Sequence, residues 1–206
     1  MEYDYLFPSI VGRKTLNEDN SGIFEFCQNK RKESEGRVRS NDKGWQSNDL
    51  LWDEIKNNPA MTSLLATIEE LSNQYRHDVG WREDAWGYIS NWWININSRN
   101  STNKLHMHPC CYFSGAYYVK ADPEVHGTIV FRTPIVGRLS MMDHGIDPNP
   151  KQGWNPTTSA SWEYKPKTGN FLIFPSWLEH FVEPNKTDEE RISISFNILS
   201  SFNESA

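Results

Sequence analysis

Two histidines one residue apart, His106 and His108 in Leu105-His106-Met107-His108-Pro109, form a pattern that could bind a metal. On a β-strand, residues i and i+2 project to one face, so both imidazoles can reach a single ion. A third donor is expected from a strand adjacent in space. His180 lies 72 residues after His108, in Phe174-Pro175-Ser176-Trp177-Leu178-Glu179-His180-Phe181-Val182. A sheet that folds back on itself brings strands together over such a distance. Imidazole suits Fe, Zn, Cu or Ni, so the ligands leave the metal open. An isolated HxH is also the pattern of two half-buried polar histidines.

The segment after His180 adds an anion-binding pattern. In Arg191-Ile-Ser-Ile-Ser-Phe-Asn-Ile198, Ile192, Ile194, Phe196 and Ile198 share one face, and Arg191, Ser193, Ser195 and Asn197 share the other. A water-facing edge strand alternates in the same way, but its polar positions are usually Lys, Glu or Thr. A guanidinium fork with a hydroxyl two residues on is suited to gripping a carboxylate. Upstream, Trp92, Ile94 and Ile96 alternate with Asn91, Trp93, Asn95 and Asn97. Two strands with polar, uncharged inner faces predict a wet cavity, with surface exposure as the alternative.

The elements that must carry these residues are mostly strands. From residue 86 the chain alternates with period two between Gly, Pro and Asn turns. This gives eight expected strands at 87–97, 104–108, 113–120, 127–132, 136–141, 161–165, 170–174 and, in pieces, 180–198. Short strands so spaced predict a sandwich or jelly roll. Before them, residues 1–28 read as extended segments that include Gly22-Ile23-Phe24-Glu25-Phe26, and residues 29–48 as a polar loop. Asn58-Pro59 opens a helix, with Asn as N-cap and Pro at the first position. Met61, Leu64, Leu65, Ile68, Leu71 and Tyr75 form its apolar stripe and Gly80 ends it. The helix is expected outside, on one face of the larger sheet. Residues 1–206 are expected to form one domain: N-terminal strands, polar loop and supporting helix to 85, then a jelly-roll catalytic core over 86–200.

Composition narrows the partners. Aromatic residues make up 13% of the 206-residue chain, against an overall hydrophobic fraction of 37%, so rings must supply much of the core. The net charge of −6 disfavours nucleic acid, and Lys30-Arg31-Lys32 is broken up by Glu33 and Glu35. The three cysteines, with Cys110 and Cys111 adjacent, make no disulfide framework and no CxxC. No window approaches a membrane span and no leader is evident, which predicts a cytoplasmic protein. His77 and Cys27 are expected to be structural and His126 a surface residue. His144, in the loop Met141–Asp147, is a candidate for substrate contact.

HxH, Ser114-Gly115-Ala116-Tyr117-Tyr118, Phe-Pro-Ser-Trp-Leu-x-His and Arg191-x-Ser193-x-Ser-Phe-Asn197 together resemble the 2-oxoglutarate/Fe(II) oxygenases of bacteria and their phages. The resemblance covers roughly residues 86–200, with a looser echo at Leu6-Phe7-Pro8. It implies a mainly β, double-stranded β-helix fold with Fe(II), 2-oxoglutarate and O2. It further implies His180 as the distal iron ligand and Arg191, eleven residues later, as the partner of the distal carboxylate of 2-oxoglutarate, assisted by Ser193. Asn95 and Asn97 resemble residues that related enzymes use to hold this cosubstrate. A protein side chain such as proline, or a small molecule, is the implied substrate, and hydroxylation of a C–H bond the default reaction. One departure stands out. The common pattern is His-x-Asp/Glu…His, whereas here the middle residue is His108. Either three histidines hold the metal, or Asp143 or Asp147 completes the site and one HxH member supports it. Rival readings are a cupin-type enzyme without 2-oxoglutarate, zinc hydration or hydrolysis chemistry, and a non-catalytic jelly-roll binding module.

Overall fold

A computed structural model describes residues 1–2, 4, 6–135, 137, 155–156 and 158–202. In chain order the elements are β1 (Gly12–Thr15), α1 (Ser21–Glu33), β2 (Asn41–Asp42), β3 (Trp45–Gln46), α2 (Trp52–Ile55), α3 (Pro59–Asp78), β4 (Ala85–Asn97), β5 (Thr102–His106), β6 (Phe113–Lys120), β7 (Ile129–Arg132), β8 (Ser161–Tyr164), β9 (Asn170–Pro175), β10 (His180–Val182) and β11 (Arg191–Phe202). The strands form two antiparallel sheets, ordered β1-β9-β6-β11-β4-β3 and β2-β5-β10-β7-β8. From β4 onwards the chain visits the larger, smaller, larger, smaller, smaller, larger, smaller and larger sheet. That winding is a double-stranded β-helix, as expected. The expected strand at 136–141 lies outside the described residues apart from Gly137, and His144 lies wholly outside them.

Two apolar layers follow from the alternation. Ile192, Ile194, Phe196 and Ile198 of β11, with Trp92, Ile94 and Ile96 of β4, pack against Met61, Leu64, Ile68, Leu71 and Tyr75 of α3. Burying each such side chain contributes roughly 1.5–3 kcal/mol. Asn58 caps α3 by accepting from Met61 N at 3.1 Å, and Gly80 follows the helix at φ +82°. Asn73 pins α3 to β4: its amide donates to Gly87 O and its oxygen accepts from Gly87 N, both at 2.8 Å. The second layer lies between the sheets, with Tyr118, Leu172 and Phe174 of the larger facing Ile129 and Phe131 of the smaller.

The N-terminal third departs from its expected form. Gly22–Phe26, read as extended, lies in α1. Ile23 and Cys27 are its buried residues, a spacing of four that belongs to a helix, but the short run Ile23-Phe24-Glu25-Phe26 also alternates like a strand. Asp19 Oδ1 accepts from Ser21 N at 2.9 Å at the helix start. The basic run lies in the last turn, where cations favour the helix dipole, and Lys30 bonds Glu33 at 2.7 Å and Glu54 at 2.5 Å. The expected polar loop holds the end of α1 and the two short strands β2 and β3. β2 pairs with β5, and β3 pairs with β4, so the short turn between them joins the two sheets. Two-residue strands carry too few side chains for a periodic signal.

Candidate metal and carboxylate site

The ladder assembles the histidines. β10 lies between β5 and β7, with His180 directly opposite His106 on one side and Phe131 on the other. His108 lies two residues past the end of β5, not within it, and its N–H donates to Ser176 O at 2.9 Å. That bond continues the pairing beyond the strand and brings the His108 ring to within 5.2 Å of His180, centroid to centroid. One ring nitrogen from each of the three histidines lies within 4.8 Å of the others. No second such group of His, Cys, Asp or Glu occurs among the described residues. Asp143 and Asp147, the alternative ligands, lie outside them.

The rings are set to ligate. His106 Nδ1 lies 2.6 Å from Lys104 O and His180 Nδ1 lies 2.9 Å from Leu178 O. A carbonyl only accepts, so each Nδ1 carries the proton and each Nε2 keeps its lone pair. His108 Nε2 is 3.4 Å from His180 Nε2. A cation bonded to both at about 2.1 Å fits between nitrogens so spaced. Phe174 and Phe131 stand 4.8 and 5.6 Å from the His180 ring. Burial in this apolar wall, with the neighbouring imidazole as the next cause, holds His180 down to about 3 and His108 to about 4, and burial lowers His106 as well. Neutral donors result, which is the form a metal requires.

The same cavity, of about 50 Å³, is lined by Arg191, Ser193, Ser195, Asn95, Tyr118 and Trp93 besides the histidines. β11 and β4 pair in the register Arg191↔Asn97, Ser193↔Asn95 and Ser195↔Trp93, so the polar alternation of both strands faces inward as expected. Arg191 is 2% exposed. It donates to Gly127 O at 2.8 Å and to Asn97 Oδ1 at 3.0 Å, and its Nε has no hydrogen-bond partner among the described residues. No carboxylate pairs with it there either. Burial pushes its guanidinium below the ordinary value. Asn95 donates to Ser195 Oγ at 3.0 Å while its own oxygen is buried and unpaired. Asn97 stands apart: it backs Arg191 and does not line the cavity.

Sequence reasoning missed Tyr118, whose buried ring lines the cavity near Arg191. It stands in the Ser114–Tyr118 motif and on the inner face of β6, but neither signal gave it a role. His126, expected at the surface, is 4% exposed. Its Nδ1 accepts from Asp122 N at 2.9 Å, closing the turn that precedes β7, and the Asp-Pro-Glu sequence before it read as an exposed loop. His77 is exposed and Cys27 lies in the core. No helix among the described residues is long and apolar enough to cross a membrane.

The jelly roll thus gathers in one cavity three neutral imidazoles, a group that could hold a metal ion, and a buried guanidinium with no carboxylate partner among the described residues. Residues 91–197, just over half of the chain, match the family model described as "Putative 2OG-Fe(II) oxygenase". The chain belongs to this family. It is a 2-oxoglutarate- and Fe(II)-dependent oxygenase that takes O2 as the oxidant, which displaces the three rival readings. No curated protein matches it in sequence. Among solved structures it resembles a prolyl-4-hydroxylase of Pseudomonas putida, with 11% identity, TM-score 0.59 and 93% of this chain covering 92% of the other. It also resembles the viral collagen prolyl hydroxylase of Paramecium bursaria chlorella virus-1 (12%, TM-score 0.58, 91% and 94%) and the carbocyclase SnoK of nogalamycin biosynthesis (9%, TM-score 0.64, 95% and 82%). At these identities the likeness is one of fold.

Proposed function

We propose that the chain hydroxylates a C–H bond of a protein side chain or small molecule, with His106, His108 and His180 as iron ligands and Arg191 as the anchor of 2-oxoglutarate. The observation that carries this reading is a fully buried guanidinium, without a counter-ion among the described residues, in the cavity that the three imidazoles share. An unpaired buried cation is costly, and a dianionic cosubstrate offsets it. A three-histidine set carries one more positive charge than a set with one carboxylate, which the same dianion balances.

Each group then has a defined task. Arg191 donates to the distal carboxylate through N–H groups left over from Gly127 and Asn97, and Ser193 adds a hydroxyl donor two residues along the same face. Asn95 contacts the cosubstrate or a water beside it. Phe131, Phe174 and Trp93 exclude bulk water around the imidazoles, which strengthens every charge interaction inside. Bound iron supplies the oxidative chemistry, coupling decarboxylation of 2-oxoglutarate to oxidation of the substrate. The prolyl hydroxylases among the similar structures support a peptide side chain as substrate, and SnoK supports a small molecule.

The test is anaerobic titration of the metal-free protein with Fe(II) and then 2-oxoglutarate, followed through the visible metal-to-ligand charge-transfer band. The band is expected on adding the keto acid. Iron binding without the band would overturn the assignment of 2-oxoglutarate to this cavity, and no iron binding would overturn the triad.

A further inference from the structure

Asn97 holds the one side chain on which the proposed carboxylate anchor rests. It is 1% exposed, lies opposite Arg191 in the β4–β11 register, and accepts from Arg191 Nη2 at 3.0 Å. Arginine has no acceptor, so the amide must turn its oxygen to the guanidinium and its orientation is fixed. On the opposite side Asn97 is itself held. Its backbone carbonyl accepts from Asn185 Nδ2 at 2.9 Å, and the fully buried Asn185 also donates to Glu189 O at 2.7 Å. The loop between β10 and β11 is thereby tied to the end of β4. The space is close: a Cβ added at Gly44 would come to 3.0 Å from Asn97 Nδ2.

The electrostatic side is equally specific. The oxygens that Arg191 meets, Gly127 O and Asn97 Oδ1, are both uncharged. Among the described residues its titratable neighbours are Tyr118 and His126, both buried, and burial raises the phenol and lowers the imidazole, so neither supplies a counter-charge. An aspartate has nearly the shape of an asparagine, and at position 97 it would place a carboxylate oxygen where the amide oxygen now sits. It would form a buried ion pair with Arg191 and use up the charge before any ligand arrived.

We propose that Asn97 is a positioning residue that orients the Arg191 fork while leaving its charge unneutralised for the cosubstrate's carboxylate. It acts through Arg191 and does not touch the cosubstrate. The inference rests on the reading of Arg191 as carboxylate anchor, and it predicts that stability and cosubstrate affinity trade against each other at position 97.

The experiment compares Asn97→Asp, Asn97→Ser and Arg191→Ala with the parent protein. It reads the melting temperature of the metal-free protein, Fe(II) affinity, and 2-oxoglutarate affinity by calorimetry on the anaerobic Fe(II) form. Asn97→Asp is expected to melt at or above the parent temperature, to bind Fe(II) within about twofold of the parent, and to lose roughly tenfold or more in 2-oxoglutarate affinity. In turnover the loss appears in KM for 2-oxoglutarate, with kcat retained at saturation. Asn97→Ser keeps the charge free, so it melts lower and loses less affinity than the aspartate. An Asn97→Asp protein that binds 2-oxoglutarate like the parent, or that fails to fold, overturns the inference. If Arg191→Ala also leaves 2-oxoglutarate affinity unchanged, the anchor reading fails. If only the Asn97→Asp prediction fails, the anchor reading stands.

Discussion

His106 and His180 are direct register partners across the β5–β10 pair, with ring centroids 4.4 Å apart. Each is locked through Nδ1 onto the carbonyl two residues before it, Lys104 O or Leu178 O. Ladder pairing sets where the two rings sit, and local backbone geometry sets which nitrogen faces the cavity.

If the two are iron ligands as proposed, removing either should remove the metal. His106→Ala and His180→Ala are each expected to abolish stoichiometric Fe(II) binding and the thermal stabilisation that iron confers, about 2.7 kcal/mol at a metal concentration 100 times Kd. Iron content after desalting and melting with and without Fe(II) check this. Retained stoichiometric iron in His180→Ala would remove that residue from the ligand set.

Stability without metal should depend on pH. The unfolded chain takes up protons on its histidines near 6.5, whereas His108 and His180 resist them down to about 4 and about 3 in the folded chain. As pH falls, the unfolded state binds more protons. This contribution is thus full above about 6.5 and is lost progressively as pH drops through about 4 and then about 3. Urea denaturation of the metal-free protein at about pH 7.5 and about pH 5 should show lower stability at the lower pH, and His180→Ala should reduce the difference. Identical stability at both values would contradict the buried, neutral state of the rings.

Arg191→Ala should separate the two ligands. 2-Oxoglutarate binding is expected to weaken by roughly 10- to 100-fold, the equivalent of one or two charge-assisted hydrogen bonds, while Fe(II) affinity changes little. Equal loss of both in parallel titrations would argue that Arg191 supports the fold and does not anchor the carboxylate.

Gly115 of β6 lies directly opposite Phe196 of β11 in the larger sheet. A Cβ there would stand 2.6 Å from Phe196 Cε2 and would also collide with Leu172 O. Gly115→Ala is expected to destabilise the protein by about 1–3 kcal/mol through overpacking, seen as a lower denaturation midpoint at unchanged slope. An unchanged midpoint would mean that the Phe196 ring moves aside at no cost in packing.

Much of the site was legible because its signals are local. HxH and the alternation of β4 and β11 lie within single strands or just past their ends, and strand periodicity assigns the faces of all but His108. The helix with its Asn58-Pro59 start was legible for the same reason, since cap, stripe and stop are neighbours in sequence. Short polar elements were not. β2 and β3 are held by pairing with β5 and β4 and are too short to show a period, and in α1 the helical spacing of Ile23 and Cys27 competes with the strand-like alternation of Ile23-Phe24-Glu25-Phe26.

By itself the sequence determined which side chains were available and which face of its strand each would take: imidazoles at 106, 108 and 180, a guanidinium at 191, and hydroxyl and amide groups between apolar positions. Only the tertiary structure decided which of them meet and in what state. Pairing β10 with β5 brings His180 to His106, and the Ser176 bond carries His108 in from beyond its strand. Closing the two sheets over Phe131 and Phe174 strips water from the rings and keeps them neutral. Asn97 and Asn95 look alike in the sequence, yet one backs Arg191 and the other lines the cavity. That difference follows from what lies behind each side chain, because hydrogen-bond partners and dielectric are properties of packed surroundings and not of residue order.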